Sequence, residues 1–142
     1  MAINPYLKKT NQTPHGEKLN LQLVSIGDTA VTLMLPFSEE IVGDPINRLI
    51  HSGALTTLVD TACGVAIFQA QNNCRAMATL DLRIDHMRAA VSGVDLYAYA
   101  DCYRLSNTIA FVRATVYTND IQQPIATAAA SFMRSNKDFS IN

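Results

Sequence analysis

Charge is scarce in this chain. Asp, Glu, Lys and Arg make up only 16% of its 142 residues, against 49% apolar residues, and the formal net charge is −1. The basic residues do not gather into a block or stripe. This argues against a nucleic-acid partner, because phosphate-binding surfaces are built from clustered Lys and Arg. So few charges suit a chain that covers part of its surface with another subunit, since interface centres are depleted in charge. Cysteine is scarce as well. Cys63, Cys74 and Cys102 show neither CxxC nor zinc-ligand spacing, so no metal site is expected, and an odd number of thiols suits a reducing compartment. The opening "MAINPYLKK" lacks the apolar centre of a signal peptide. No uncharged apolar run reaches the ~18–20 residues that a bilayer span requires. The expectation is one cytoplasmic domain over 1–142 with no membrane insertion, long enough to bury a substantial core.

Along the chain, residues 1–17 read as a short helical or irregular lead-in, with Pro5, Pro14 and Gly16. From Leu19 to Leu35 the pattern is strand-like. Thr29, Val31, Leu33 and Leu35 alternate with Ala30, Thr32 and Met34, and "GD" at 27–28 supplies a hairpin turn. Residues 36–50 hold two prolines and a glycine and read as a long loop, a length uncommon without a function. After "QNNCR" the period becomes two through Ala78, Leu80, Leu82 and Ile84, then again through Val94 to Ala100. "TIAFVRATVY" and the alanine-rich "PIATAAASFM" make two more strands. So many alanines imply a bulky neighbour at close range, for which the central helix is the candidate. Short turns between the late strands imply antiparallel neighbours in meander spacing. The class is α+β: one antiparallel sheet wrapped around one long helix, with no second domain.

That helix is expected from Ser52, as N-cap, to about Ala70. It opens with "HSGALTTLVDTACG", whose one charged side chain is Asp60. On a helical wheel Gly53, Thr56, Thr57, Cys63, Gly64 and Ile67 fall within about 60° of Asp60, while Leu55, Leu58, Ala62 and Val65 lie opposite. The helix should therefore have neighbours nearly all round. A carboxylate among small residues is either held by structural hydrogen bonds or used as a base or nucleophile. The unpaired N–H groups of the helix start suit a developing oxyanion. Ser52 and Asp60 are eight residues apart, about 12 Å along a helix. That is too far for one chain to grip a single carbonyl with both, and a second subunit would remove the problem.

"GDPINRLIHSGALTTLVDTACG" resembles the loop, His-Gly-Gly and helical Leu-x-Asp pattern of hotdog-fold acyl-CoA thioesterases of the phenylacetic-acid-degradation (PaaI-like) type. "TLDLRIDHMRAA" resembles the strand after the helix in the same family. The likeness spans roughly residues 20–134. It implies a hotdog fold and hydrolysis of an acyl- or aryl-CoA to free acid and CoA, without metal or redox cofactor. It implies Asp60 as the catalytic carboxylate, the Ser52 or Gly53 amide as oxyanion donor, Thr79 as the residue placing water, and a site shared across a homodimer or dimer of dimers. Two positions depart from the family: its Gly-Gly is Ser52-Gly53 here, and an asparagine of some members is replaced by Pro45.

Other roles follow from residue chemistry. His51 either caps and packs or positions substrate. Arg83 and Arg88, with His86 nearby, either meet the phosphates of coenzyme A or pair with Asp81 and Asp85. Tyr97, Tyr99 and Tyr103 share a strand face suited to interface or sheet packing. Two alternative functions stand beside hydrolysis: a hotdog hydratase or dehydratase pairing His51 with Asp60, and a non-catalytic acyl-CoA-binding protein.

Overall fold

A computed structural model of the protein describes residues 13–71 and 75–138. Helix α1, Pro14–Leu19, is capped by the Thr13 hydroxyl, which accepts from the Gly16 N–H. The hairpin follows as β1, Gln22–Ile26, and β2, Ala30–Leu35. Residues 36–50, expected as loop, instead contain a 3-10 turn at Glu39–Ile41 and a small ribbon of β3, Val42–Asp44, against β4, Leu49–Ile50. Helix α2 runs Ser52–Ala70, within the bounds expected. Four long strands complete the chain: β5, Arg75–His86; β6, Leu96–Leu105; β7, Ile109–Tyr117; and β8, Ala126–Asp138. The lead-in before residue 13, and Cys74, lie outside the described residues.

The large sheet is antiparallel, in the order β1-β2-β6-β7-β8-β5. Only β6, β7 and β8 form a meander. β5 pairs with the last strand instead of with β6, correcting the expected arrangement. Period-two patterning shows which residues face inward but carries no information about the partner strand. The inner face is made of small residues: Ala98, Ala100 and Cys102 on β6, Ala110, Val112 and Ala114 on β7, and Ala126, Ala128 and Ala130 on β8, all buried. Small residues let α2 sit close, and its Leu55, Leu58, Val59, Ala62, Val65 and Ala66 fill the space at high density. The helix lies chiefly under β2, β6 and β7 and barely touches β8. The alanines of β8 instead stand opposite Leu82 and Ile84 of β5.

By length and composition α2 could span a bilayer, with mean hydropathy 1.3 over the most apolar window, yet here it is the core helix of the sheet. Its surroundings differ from the wheel's expectation. Cys63 and Ile67 are fully buried, whereas Gly53 and Thr56 are exposed and Thr57, Asp60, Thr61 and Gly64 are half-buried. One flank of α2, the Asp60 flank, is thus only partly covered by its own chain. Burial pushes the Cys63 thiol up to about 12, helped by the Asp60 carboxylate and Cys102. It stays protonated at neutral pH and is no nucleophile. On the outer face of the sheet, Tyr97 stacks on Tyr117 at 5.6 Å, and the Arg113 guanidinium lies 4.4 Å over the Tyr103 ring.

Candidate active site

The start of α2 is built by the small ribbon. Asp44, Pro45, Ile46 and Asn47 form its turn, with proline in the position whose φ it presets. Asp44 accepts from the Ile46 and Asn47 N–H groups and from the Asn47 side-chain amide. These bonds, those from Asn47 foremost, hold its carboxyl below the usual range. The ribbon brings Gly43 against His51 so closely that a Cβ there would lie 2.8 Å from the His51 Cα and 2.9 Å from its Cβ. His51, not Ser52, is the N-cap: its Nδ1 accepts from the Gly53 N–H at 2.8 Å. A ring nitrogen can cap a helix as a hydroxyl does, by satisfying one of the four orphan amides. The bond requires an unprotonated Nδ1. Gly53 in turn leaves room for the ring, since a Cβ there would meet Nδ1 at 2.8 Å.

This seat predicts a stability effect. Gly43→Ala should destabilise the fold by about 1–3 kcal/mol, because a side chain would collide with backbone that cannot swing aside. It should also disturb the cap, adding about 1 kcal/mol. Urea unfolding would show a lower midpoint at unchanged slope. A midpoint equal to wild type would mean the His51 seat is soft.

The cap has a chemical consequence. Of the two amides expected at the helix start, that of Gly53 is occupied by His51. Among the described residues none accepts from the Ser52 N–H, which leaves it open to an incoming oxygen. The neighbouring hydroxyls are turned to the helix backbone, Thr56 donating to the Ser52 carbonyl and Thr57 to that of Gly53. His15 of α1 lies 3.1 Å from the Thr57 hydroxyl.

Two turns further on, Asp60 meets Thr79 of β5. The Thr79 hydroxyl donates to Asp60 Oδ1 at 2.8 Å, across a separation of nineteen residues. The geometry at Thr79 comes from a bulge: the β5–β8 register slips between Thr79 and Asp81, with Thr79 opposite Phe132. Such bulges re-aim side chains, and this one keeps Thr79 on the helix side. Oδ2 of Asp60 accepts from no described residue.

Asp60 and Thr79, with Thr13 and Thr61, line the polar part of an open cavity of about 300 Å³ whose apolar part is Val65, Phe68, Met77 and Phe132, with Gly64 between. Ser52 lines a different one, of about 270 Å³, with Leu49, Leu55, His86, Met87 and Arg88. His51 and Gly53 border a third. Within one chain, then, Asp60 is brought to Thr79 but not to Ser52, and His51 is not paired with Asp60. Arg88 donates to the carbonyls of Gln123 and Pro124 beside the Ser52 cavity. Arg83 is on the outer face of the sheet, paired with Asp85 at 3.2 Å. No cluster of three metal-ligating side chains occurs among the described residues. The cavity residues Phe68, Met77 and Phe132 escaped sequence reading, since each looks like ordinary core.

A six-stranded antiparallel sheet curled around one long helix, with a carboxylate on the helix flank, defines the hotdog fold, and comparison with known proteins agrees. The model of the thioesterase superfamily matches residues 47–125, and the chain belongs to that family. It is 30% identical over 103 residues to a Halobacterium salinarum protein named as an esterase, covering 70% of this chain and 67% of that one. A structure from Pseudomonas aeruginosa is 36% identical, with a TM-score of 0.80 over 92% of this chain and 99% of that one. PaaI of the Escherichia coli phenylacetic acid degradation operon is similar in fold. Its TM-score is 0.82 at 16% identity, over 95% of this chain and 94% of that one.

Proposed function

We propose that the protein is an acyl-CoA thioesterase that works as a homodimer or dimer of dimers, in the cytoplasm and without metal or redox cofactor. The observation that carries the reading is the Thr79–Asp60 hydrogen bond in an open cavity that also holds Val65, Phe68, Met77 and Phe132. Asp60 takes a proton from water, whose oxygen attacks the thioester carbonyl; or Asp60 attacks it directly, the thiolate leaves, and water then cleaves the resulting acyl-aspartyl anhydride, returning the carboxylate and supplying the proton. The carbonyl oxygen becomes an oxyanion and accepts from the Ser52 N–H, at the positive end of the helix dipole. When the carbonyl re-forms the C–S bond breaks, and the proton removed from water goes to the CoA thiolate. Free acid and CoA are the products. Thr79, donating to Oδ1, orients the carboxylate and offers its own oxygen to the water.

The two halves of this site lie about 12 Å apart on one helix, so the reading requires two chains. Their meeting place is β5. Its partner on one side is β8 and its other edge is open among the described residues, along twelve residues that include the exposed Leu80. An unpaired edge of that length invites a second copy. Arg88 borders the Ser52 cavity and in this reading would bind CoA phosphate in exchange for the Gln123 and Pro124 carbonyls it now meets. Arg83, on the other face and already paired, is the less suited of the two. The hydratase alternative is the less favoured, because the His51 Nδ1 already accepts from the Gly53 N–H. Thiol release from acetyl-, octanoyl-, palmitoyl- and phenylacetyl-CoA is the direct test. Release from at least one ester is expected; none from any would overturn the reading and leave the acyl-CoA-binding alternative.

A further inference from the structure

Gly64 has no conformational reason to be glycine. It lies inside α2, four residues beyond Asp60, with helical backbone on both sides and no positive φ. Nor does a neighbour crowd it. A Cβ there would stand 3.5 Å from Met77 Cε and 3.9 Å from Phe132 Cε2, which is ordinary van der Waals contact. Glycine in mid-helix is nevertheless unfavourable relative to alanine, since it has more backbone freedom to lose. What the missing side chain does create is space. Gly64 lines the cavity that begins at Asp60 and Thr79, and the two side chains facing it, Met77 and Phe132, line the same cavity. Asp60, Gly64 and Phe68 follow one another at intervals of four on the same helix flank, about 6 Å apart along the axis. The position of Gly64 is therefore midway between the carboxylate and the aromatic end at Phe68.

From this placement we infer that Gly64 sets the acyl-chain selectivity of the site: it leaves passage between α2 and Met77 for an acyl group that extends past the first helical turn beyond Asp60. The inference rests on the thioesterase reading and names the substrate class within it, medium-chain acyl groups in preference to acetyl. An apolar cavity of about 150 Å³ holds benzene, and the open cavity here is about 300 Å³. Apart from Asp60 itself its lining holds no charged side chain: Val65, Phe68, Met77 and Phe132 are apolar, and Thr13, Thr61 and Thr79 are neutral. Met77 is the movable wall, because its unbranched thioether adapts to what it meets.

The test is the ratio of kcat/KM for octanoyl-CoA to that for acetyl-CoA, measured on wild type, Gly64→Ala and Met77→Ala. Gly64→Ala should raise the unfolding temperature by a few degrees while lowering the ratio at least tenfold, the scale on which a pocket senses one carbon. Met77→Ala, which widens the passage, should raise the ratio. An unchanged ratio in Gly64→Ala overturns the inference. So does an equal loss on both esters with a changed oligomeric state by sedimentation, which would make Gly64 a contact between copies. If wild type releases no thiol, the thioesterase reading fails separately, and calorimetric binding of octanoyl-CoA and acetyl-CoA decides. Weaker octanoyl-CoA binding by Gly64→Ala, with acetyl-CoA less affected, sustains the pocket assignment; no binding to wild type, or equal binding by both proteins, removes it.

Discussion

Asp60→Asn should lower kcat for thioester hydrolysis by about 10²–10⁴-fold, the usual contribution of a positioned base, with KM moved little. The two parameters separate because the substitution removes a proton acceptor and hardly any volume. Asn keeps a carbonyl oxygen where Oδ1 of Asp60 now accepts from Thr79 at 2.8 Å, so the link between α2 and β5 survives. The amide cannot take a proton from water, and it is a poor nucleophile. A mutation that removes an interaction made only in the transition state lowers kcat and kcat/KM together. Steady-state kinetics beside urea unfolding would check both halves. Activity within threefold of wild type would return Asp60 to a structural role. A fall in activity that tracks a fall in stability would do the same.

Thr79 is the natural comparison. If its hydroxyl only orients the carboxylate, its loss costs less than the loss of Asp60 itself. Effects of groups that act as one unit do not add, so Thr79→Ala in the Asp60→Asn background should change the remaining rate little.

What was legible in the sequence follows from which physical signals are local. α2 could be bounded because small and apolar residues dominate from Ser52 to Ala70, interrupted only by Asp60 and Gln69. β2, β6 and β7 showed because inward and outward residues alternate along each. The β3–β4 ribbon did not show. Strands of three and two residues are too short to display a period, and Pro45 with Asn47 reads as loop. The place of β5 beside β8 was equally silent, because a strand's partner is chosen by the whole sheet. At the site, Asp60 stood out as a charge among small residues, and resemblance selected Thr79. Hydroxyl preference points to Ser52 as the cap, whereas in the structure His51 takes the capping role open to it, its ring held over the Gly53 amide by the seat at Gly43. The cavity beyond Asp60 could not be foreseen, since it exists only where α2, β5 and β8 bring Phe68, Met77 and Phe132 together.

Ser52→Pro should lower kcat by about 10²–10³-fold, the cost of removing one oxyanion donor, while leaving the fold intact. The position makes this substitution unusually clean. Ser52 is the first helical residue after its cap, the one place in a helix where proline is favoured, because its amide has no partner inside the helix. The preceding His51 has φ −62° and ψ 127°, the extended conformation that a residue before proline prefers. The variant thus deletes one N–H and little else. It also allows the two-chain arrangement to be tested against a one-chain site. In a mixed dimer of Ser52→Pro and Asp60→Asn subunits, a shared site exists that combines the intact Asp60 of one chain with the intact Ser52 amide of the other. Co-refolding the two inactive variants should then restore roughly a quarter of wild-type turnover, since half the dimers are mixed and each carries one whole site of two. If each chain used its own helix start and its own carboxylate, every site in the mixture would lack one group, and no activity would return.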